Sequence, residues 1–373
     1  MKYYVIAGEA SGDLHGSNLL KELKKTDPDA DFRCWGGDLM EAAGATLVKH
    51  YRELAFMGFA EVIKNLPTIL NNLKFCKQDV LEFNPDVLIL IDYPGFNLRI
   101  AKWAKNAGFK VVYYISPQVW AWKENRVKLI RQVVDKMLVI LPFEKEYFQN
   151  KWNYKVEFVG HPLVQVINDF VEKNSDTDKT EKIIALLPGS RKQEITKKLP
   201  IMLETSKAFP EYKFVVAKAA SLDDEFYTNL LAEYPNVSFV DNQTYSLLSK
   251  STAALVTSGT ATLETALFGV PQVVCYKGSA ISYQIAKRLV KIKYISLVNL
   301  IMDREVVTEL IQDDLTVANL TNELDKILNN EERLSQIQRD YNDLKELLQK
   351  DGDASAKAAK SIYDFLATSL QKA

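Results

Sequence analysis

Short, continuously apolar runs alternate with helical stretches through most of this chain, and that alternation leaves few folds open. In the first half the runs are 3–7 (YYVIA), 31–37 (DFRCWGG), 85–92 (PDVLILID), 110–116 (KVVYYIS), 136–142 (KMLVILP) and 156–162 (VEFVGHP), with helical periodicity in stretches such as 17–25 (SNLLKELKK). Strands that are apolar along their whole length, rather than at every second residue, are buried on both faces. Helices between them supply the cover, so the pattern predicts an α/β domain with a parallel sheet over 1–165. The pattern stops over 166–182, where EKNSDTDKTEK (172–182) is polar and reads as a linker. It resumes at 182–190, 213–219, 237–241, 253–259 and 271–277, which predicts a second doubly wound domain over 183–350. From Thr321 the tail reads as charged helix, broken at Asp351-Gly352-Asp353. The last helix, 353–373, either crosses back to the first domain or exchanges with a second copy in a homodimer.

Open α/β sheets bind ligands beyond the carboxyl ends of their strands. Two such sheets facing each other would form a cleft with one ligand site on each wall, an arrangement suited to a two-substrate transfer. Composition removes other classes. The 373 residues are 47% apolar and 25% charged, ordinary for a soluble globular protein, and a net charge of −1 gives no field that would favour nucleic acid. Cys34, Cys76 and Cys275 lie far apart with no CxxC, and His15, His50 and His161 form no HExxH, so neither a disulfide framework nor a metal site is expected. No leader pattern and no uncharged run of transmembrane length is visible, which predicts a cytosolic protein, at most peripheral to a membrane.

Four stretches carry chemistry. LLPGSRKQEI (186–195) reads as strand, turn and helix start; Gly189 and Ser190 would offer amides to an anion, and Arg191 a fixed positive fork suited to a diphosphate. The same stretch also reads as a capped helix with a surface arginine. VTSGTATLETALFGVP (256–271) follows a strand directly: Ser258, Gly259 and Thr260 suit phosphate oxygens and Glu264 the two hydroxyls of a ribose, or the stretch is an N-cap with a surface glutamate. In LIDYPGFNLR (90–99), Asp92 ends a central strand and is either a general base or a helix cap. SPQVWAWKENR (116–126) holds Trp120 and Trp122, an apolar wall for a sugar or lipid or else packing at the domain edge.

The loop after the first strand, GEASGDLHG (8–16), has the glycines of a phosphate turn but not the spacing of GxGxxG, and it carries Glu9 and Asp13. Like charges about 4 Å apart repel by roughly 1 kcal/mol in water and about 4 kcal/mol at an effective dielectric near 20. Glu9, Ser11 and Asp13 therefore suit sugar hydroxyls better than phosphate, and His15 reads either as a second candidate base or as a packing residue near a helix start. Two further segments, 54–75 with Phe56, Met57 and Phe59, and 286–301 with Arg288 and Lys291, read either as core or as a surface for lipid and anionic headgroups.

Taken together, AGEASGD (7–13), LAFMGFAEV (54–62), IDYPGFN (91–97), SPQVWAW (116–122), LPFEK (141–145), GHP (160–162), LLPGSR (186–191), SGTATLE (258–264), AKRLVK (286–291) and SLVNL (296–300) resemble the lipid-A-disaccharide synthase family in order and spacing. The resemblance implies a GT-B fold of two Rossmann-like domains facing across a cleft. It implies an inverting glycosyltransferase that joins UDP-2,3-diacylglucosamine to the 6-hydroxyl of 2,3-diacylglucosamine 1-phosphate (lipid X), with no cofactor or metal, at the cytosolic face of the inner membrane of Gram-negative bacteria. Carried onto this chain, Asp92 is the base and Arg191 steadies the diphosphate. Gly189, Ser190, Ser258, Gly259, Thr260, Glu264 and Asn299 hold UDP. Glu9, Ser11, Gly12, Asp13, Asn97 and Trp120 line the acceptor or sugar side, and Phe56, Met57, Phe59, Arg288 and Lys291 meet membrane or acyl chains. The chain departs from the family pattern at Gly95, where relatives carry a second Asp, and at Gln118, where Ser is usual; the first leaves Asp92 as the only carboxylate of its turn. Within the same fold, a UDP-sugar 2-epimerase or a peptidoglycan-precursor transferase is the alternative, and outside it a non-catalytic UDP-sugar-binding regulator.

Overall fold

The carboxyl-terminal side of a parallel sheet is where its loops gather, so strand order decides which motifs meet. In this computed structural model, which describes residues 1–54, 66–174, 181–219, 222–279, 293–349 and 352–370, the chain divides into two units. Met1–Pro162 with Leu348–Ala373 form the first and Leu163–Leu347 the second.

The first unit holds strands β1 (Lys2–Ala7), β2 (Asp31–Gly36), β3 (Thr46–His50), β4 (Val87–Ile91), β5 (Val111–Tyr114), β6 (Lys136–Val139) and β7 (Glu157–Phe158) in the order β3-β2-β1-β4-β5-β6-β7. The second holds β8 (Ile183–Leu187), β9 (Lys213–Lys218), β10 (Val237–Asp241), β11 (Ala253–Thr257), β12 (Gln272–Tyr276) and β13 (Thr308–Ile311) in the order β10-β9-β8-β11-β12-β13. Each pairing is parallel. The order reverses between β1 and β4 in one sheet and between β8 and β11 in the other. Those reversals are the switch points where such sheets bind ligands.

The continuously apolar runs are the central strands. Tyr3 to Ala7 and Val87 to Ile91 are at most 1% exposed, as two-sided burial requires. Below the first sheet a buried polar cluster joins three elements. Trp35 Nε1–H donates to the Tyr4 hydroxyl (2.8 Å), Tyr4 O–H donates to Asp79 Oδ2 (2.6 Å), and Arg33 Nε–H donates to the same oxygen (2.9 Å). Burial alone would raise the Asp79 pKa, but the hydrogen bonds from Arg33 and Tyr4 outweigh it and hold the carboxyl below its ordinary value. The stability this supplies is present above the unfolded carboxyl pKa and is lost as pH falls through the lower native one. Asp79→Ala leaves two donors and a charge without their acceptor. It is expected to destabilise the first unit by about 3 kcal/mol, read as a lower denaturant midpoint for that unit.

Two boundaries differ from the sequence reading. The chain leaves the first unit after Pro162, not 165, and the second unit ends at Leu347, not 350. The segment read as linker begins as helix, Pro162–Lys173, because Leu163, Val164 and Ile167 recur at helical spacing and are buried. The last helix, Ala354–Leu370, packs on the helix Ala10–Thr26 in the first unit, so within one chain the tail crosses back. Phe56, Met57, Phe59, Arg288 and Lys291 lie outside the described residues. The helix Leu66–Phe83 follows the first group in sequence. It buries Leu73, Cys76 and Val80 and leaves Leu70, Phe75 and Leu81 exposed.

Candidate active site

In the first unit, Ala7 and Ile91 are the last paired residues of β1 and β4. The loops that begin at Gly8 and Asp92 therefore leave the sheet side by side. Asp92 (φ 41°) and Tyr93 (φ 45°) both adopt the left-handed conformation, which costs a non-glycine residue about 1–3 kcal/mol. Surrounding bonds hold the elbow in place. Asn97 Nδ2 donates to the carbonyls of Asp92 (2.8 Å) and Ile91 (3.2 Å), and Tyr113 O–H donates to the Asp92 carbonyl (2.5 Å). Gly8 is required on the other side, since a Cβ there would stand 2.3 Å from the Tyr93 ring.

The Asp92 side chain reaches solvent, yet enough protein crowds the carboxyl to push its pKa up to about 6. Desolvation is the larger cause and the charge of Glu9 the second, with the Tyr93 amide pulling the other way. A carboxylate with this pKa is ionised at neutral pH and is a stronger proton acceptor than an ordinary aspartate. Gly95 faces open space and brings no carboxylate. A second negative charge nevertheless acts on Asp92, from Glu9 in the neighbouring loop rather than from its own turn.

The other residues expected on this wall divide. Glu9 and Ser11 are exposed at the start of helix Ala10–Thr26. Asp13 is not a lining residue: it is buried and accepts from the amides of Gly37 (2.8 Å), Leu39 (3.1 Å) and Met40 (3.1 Å), anchoring the next helix. Gly12 is buried too, and a Cβ there would lie 3.0 Å from that of Ala7, so its role is close helix–strand packing. Asn97 is fully buried and supports Asp92 from below instead of facing substrate. His15 is buried, and desolvation lowers its pKa to about 4, so it is a neutral imidazole near neutral pH. Trp120 packs edge-on against Phe143, ring centroids 4.9 Å apart, while Trp122 is the exposed one of the pair.

In the second unit the loops after β8 and β11 border one pocket of about 340 Å³. Gly189, Ser190, Ser258, Gly259, Thr260 and Glu264 all line it, so two motifs far apart in sequence converge as expected. Gly189 (φ 115°) and Gly259 (φ 144°) take conformations that favour glycine. The helices Lys192–Ser206 and Thr260–Leu267 start at the pocket, and helix-start amides attract anions. Arg191 is the N-cap of the first helix; its exposed guanidinium lies 3.5 Å from Glu194 Oε1. Burial raises the Glu264 pKa, against a hydrogen bond that Tyr245 O–H donates to Oε1 at 2.9 Å.

Asn299 is the correction on this wall. It is fully buried, its amide donates to the Val307 carbonyl (2.8 Å) and Glu309 (2.9 Å), and its oxygen accepts from the amides of Val306 (2.8 Å) and Val307 (3.0 Å). With its capacity spent inside the protein, it ties the helix Leu297–Met302 to the start of β13. The residues just before that helix reach the pocket through Ser258 Oγ–H, which donates to the Ile295 carbonyl at 2.7 Å.

A family model described as Lipid-A-disaccharide synthetase matches residues 3–363. The lipid-A-disaccharide synthase of Geobacter metallireducens is 40% identical over 334 residues, 87% of each chain. The chain belongs to the lipid-A-disaccharide synthase family. As a member it is a glycosyltransferase of lipid A biosynthesis. Its fold is similar to that of the UDP-GlcNAc 2-epimerase from Neisseria meningitidis bound to UDP-GlcNAc (TM-score 0.69, 14% identity, 99% of this chain and 100% of that one). It is also similar to the glycosyltransferase of kitacinnamycin (TM-score 0.66, 15% identity, 97% and 98%). These likenesses place the synthase family member in the two-domain α/β GT-B fold.

Sequence reasoning missed several of its pocket residues. Lys218, Thr244 and Glu194 line the pocket, and the buried Lys198 donates to Thr257 Oγ1 beneath it, 3.9 Å from Glu194 Oε2. The i, i+4 spacing of Glu194 and Lys198 was the available signal. Among the described residues, no helix is long and apolar enough to cross a membrane.

Proposed function

We propose that this glycosyltransferase moves 2,3-diacylglucosamine from UDP-2,3-diacylglucosamine to lipid X with inversion, releasing UDP. The observation that supports it most is Asp92: a carboxylate with a raised pKa, on a braced elbow at a switch point, in a chain of this family. The Asp92 carboxylate takes the proton of the acceptor 6-hydroxyl. The oxygen attacks the anomeric carbon, and the bond from that carbon to the diphosphate breaks with its electron pair leaving on UDP. Arg191 and the amides at Gly189, Ser190, Gly259 and Thr260 offset the charge that grows there. Glu264 accepts the ribose hydroxyls. The reading invokes no metal or other cofactor.

The test is to supply UDP-2,3-diacylglucosamine and lipid X and detect the product by mass, with its anomeric configuration read by NMR. A β(1→6) disaccharide 1-phosphate supports the reading. Retention of configuration, or consumption of the UDP-sugar without an acceptor, counts against it.

The same reading places the enzyme peripherally on the anionic cytosolic face of the inner membrane. The exposed Leu70, Phe75 and Leu81, which follow the apolar 54–65 stretch, favour it. Replacing Phe56, Met57 and Phe59 together by serine is expected to lower partition onto anionic vesicles about tenfold or more. Unchanged co-sedimentation would make that segment ordinary core.

A further inference from the structure

Glu264 does not stand alone in the pocket wall. One of its oxygens is held by the Tyr245 hydroxyl at 2.9 Å. Tyr245 comes from helix Thr244–Lys250, whose first residue also lines the pocket. Its ring is fixed by two others. Phe170 meets it edge-on with centroids 5.6 Å apart, and Phe268 lies at 5.3 Å; Phe170 and Phe268 also touch each other, at 5.8 Å. Phe268 caps the helix that carries Glu264, and Phe170 belongs to helix Pro162–Lys173. Three separate helices thus converge to fix one phenol oxygen against one carboxylate.

We propose that Tyr245 is the positioning residue of the ribose site, setting the plane of the Glu264 carboxylate so that it can accept two sugar hydroxyls at once. The proposal rests on the reading of Glu264 as the ribose acceptor. A carboxylate at the end of a glutamate turns broadly about its last torsion, and a bidentate acceptor works only in one plane. Holding one oxygen removes that freedom before the ligand arrives, which saves the ordering cost of binding. Tyr245 also opposes the effect of burial on Glu264 and favours the ionised, acceptor-only form. Burial and Glu264 in turn push the Tyr245 pKa far up, so the phenol stays a donor.

A double-mutant cycle tests this, with UDP binding measured by calorimetry on the full chain. Tyr245→Phe keeps the ring cluster and removes only the hydroxyl. It is expected to weaken UDP about tenfold, in line with the loss of a hydrogen bond to a charged group. The effect on 2′-deoxy-UDP should be smaller. Glu264→Ala should weaken UDP by at least as much, and adding Tyr245→Phe to it should change nothing further, because the hydroxyl then has nothing to position. Wild-type affinity in Tyr245→Phe, or losses that multiply in the double variant, would overturn the role of Tyr245 and leave the nucleotide site intact. A wild-type protein that does not bind UDP would overturn the nucleotide reading, and this proposal with it.

Discussion

Asp92→Asn is expected to lower turnover by about 10²- to 10⁴-fold and to leave UDP affinity unchanged. Asparagine is the right probe because it tolerates the left-handed backbone (φ 41°) and keeps the shape of the side chain. The acid limb of the wild-type rate carries the same assignment. The base works ionised, and its pKa is raised to about 6, so log rate should climb as pH rises toward that value and level above it. Glu9→Gln removes a neighbouring negative charge. Asp92 then holds its proton less tightly, and the break in the profile should move to lower pH. Stability should respond in the opposite sense to activity. A carboxyl whose pKa is higher in the folded than in the unfolded chain stabilises the fold when protonated, and that contribution is lost as pH rises through about 6. At neutral pH the uncharged asparagine side chain escapes that loss, so the inactive variant should melt no lower than the wild type. A pH profile flat down to pH 4.5, or an asparagine variant with full turnover, would remove Asp92 from the base role.

What the sequence made legible follows from burial. Central strands such as Val87–Ile91 are apolar throughout because both faces are covered, so they stand out unaided. The strands it did not reveal, Thr46–His50 and Thr308–Ile311, are sheet edges, only partly buried, and their mixed composition resembles a loop. The motifs at the switch points were legible because glycine, serine and acidic residues directly after an apolar run have few structural uses. The roles within a motif were not. Asp13 and Glu9 look alike in GEASGD, yet one is buried on three amides and the other is exposed beside Asp92. Asn97 and Asn299 sit in motifs expected at the site but spend their amides inside the protein, and only the partners, not the residue type, reveal it. The helix Pro162–Lys173 was hidden by the polar stretch that follows it in sequence.

Arg191→Ala is expected to lower kcat by about 10²- to 10³-fold, the range for removing one donor that meets charge developing in a transition state. The local charge balance makes the effect specific. Around the Pro188-Gly189 turn, Arg191 and the buried Lys198 both lie near the Glu194 carboxylate, at 3.5 and 3.9 Å. With the guanidinium gone, a diphosphate meets the helix-start amides with one fixed positive charge fewer beside them. Binding of UDP should therefore weaken while binding of uridine, which carries no phosphate, stays as it was. The guanidinium is 65% exposed, so its attraction is screened by salt. The wild-type affinity for UDP should fall as salt is raised, and the alanine variant should respond less steeply. Arg191→Lys restores the charge but not the planar fork that grips two oxygens, and should recover binding more than turnover. An alanine variant that keeps both wild-type turnover and the wild-type salt response would return Arg191 to the surface role that the sequence alone also allowed.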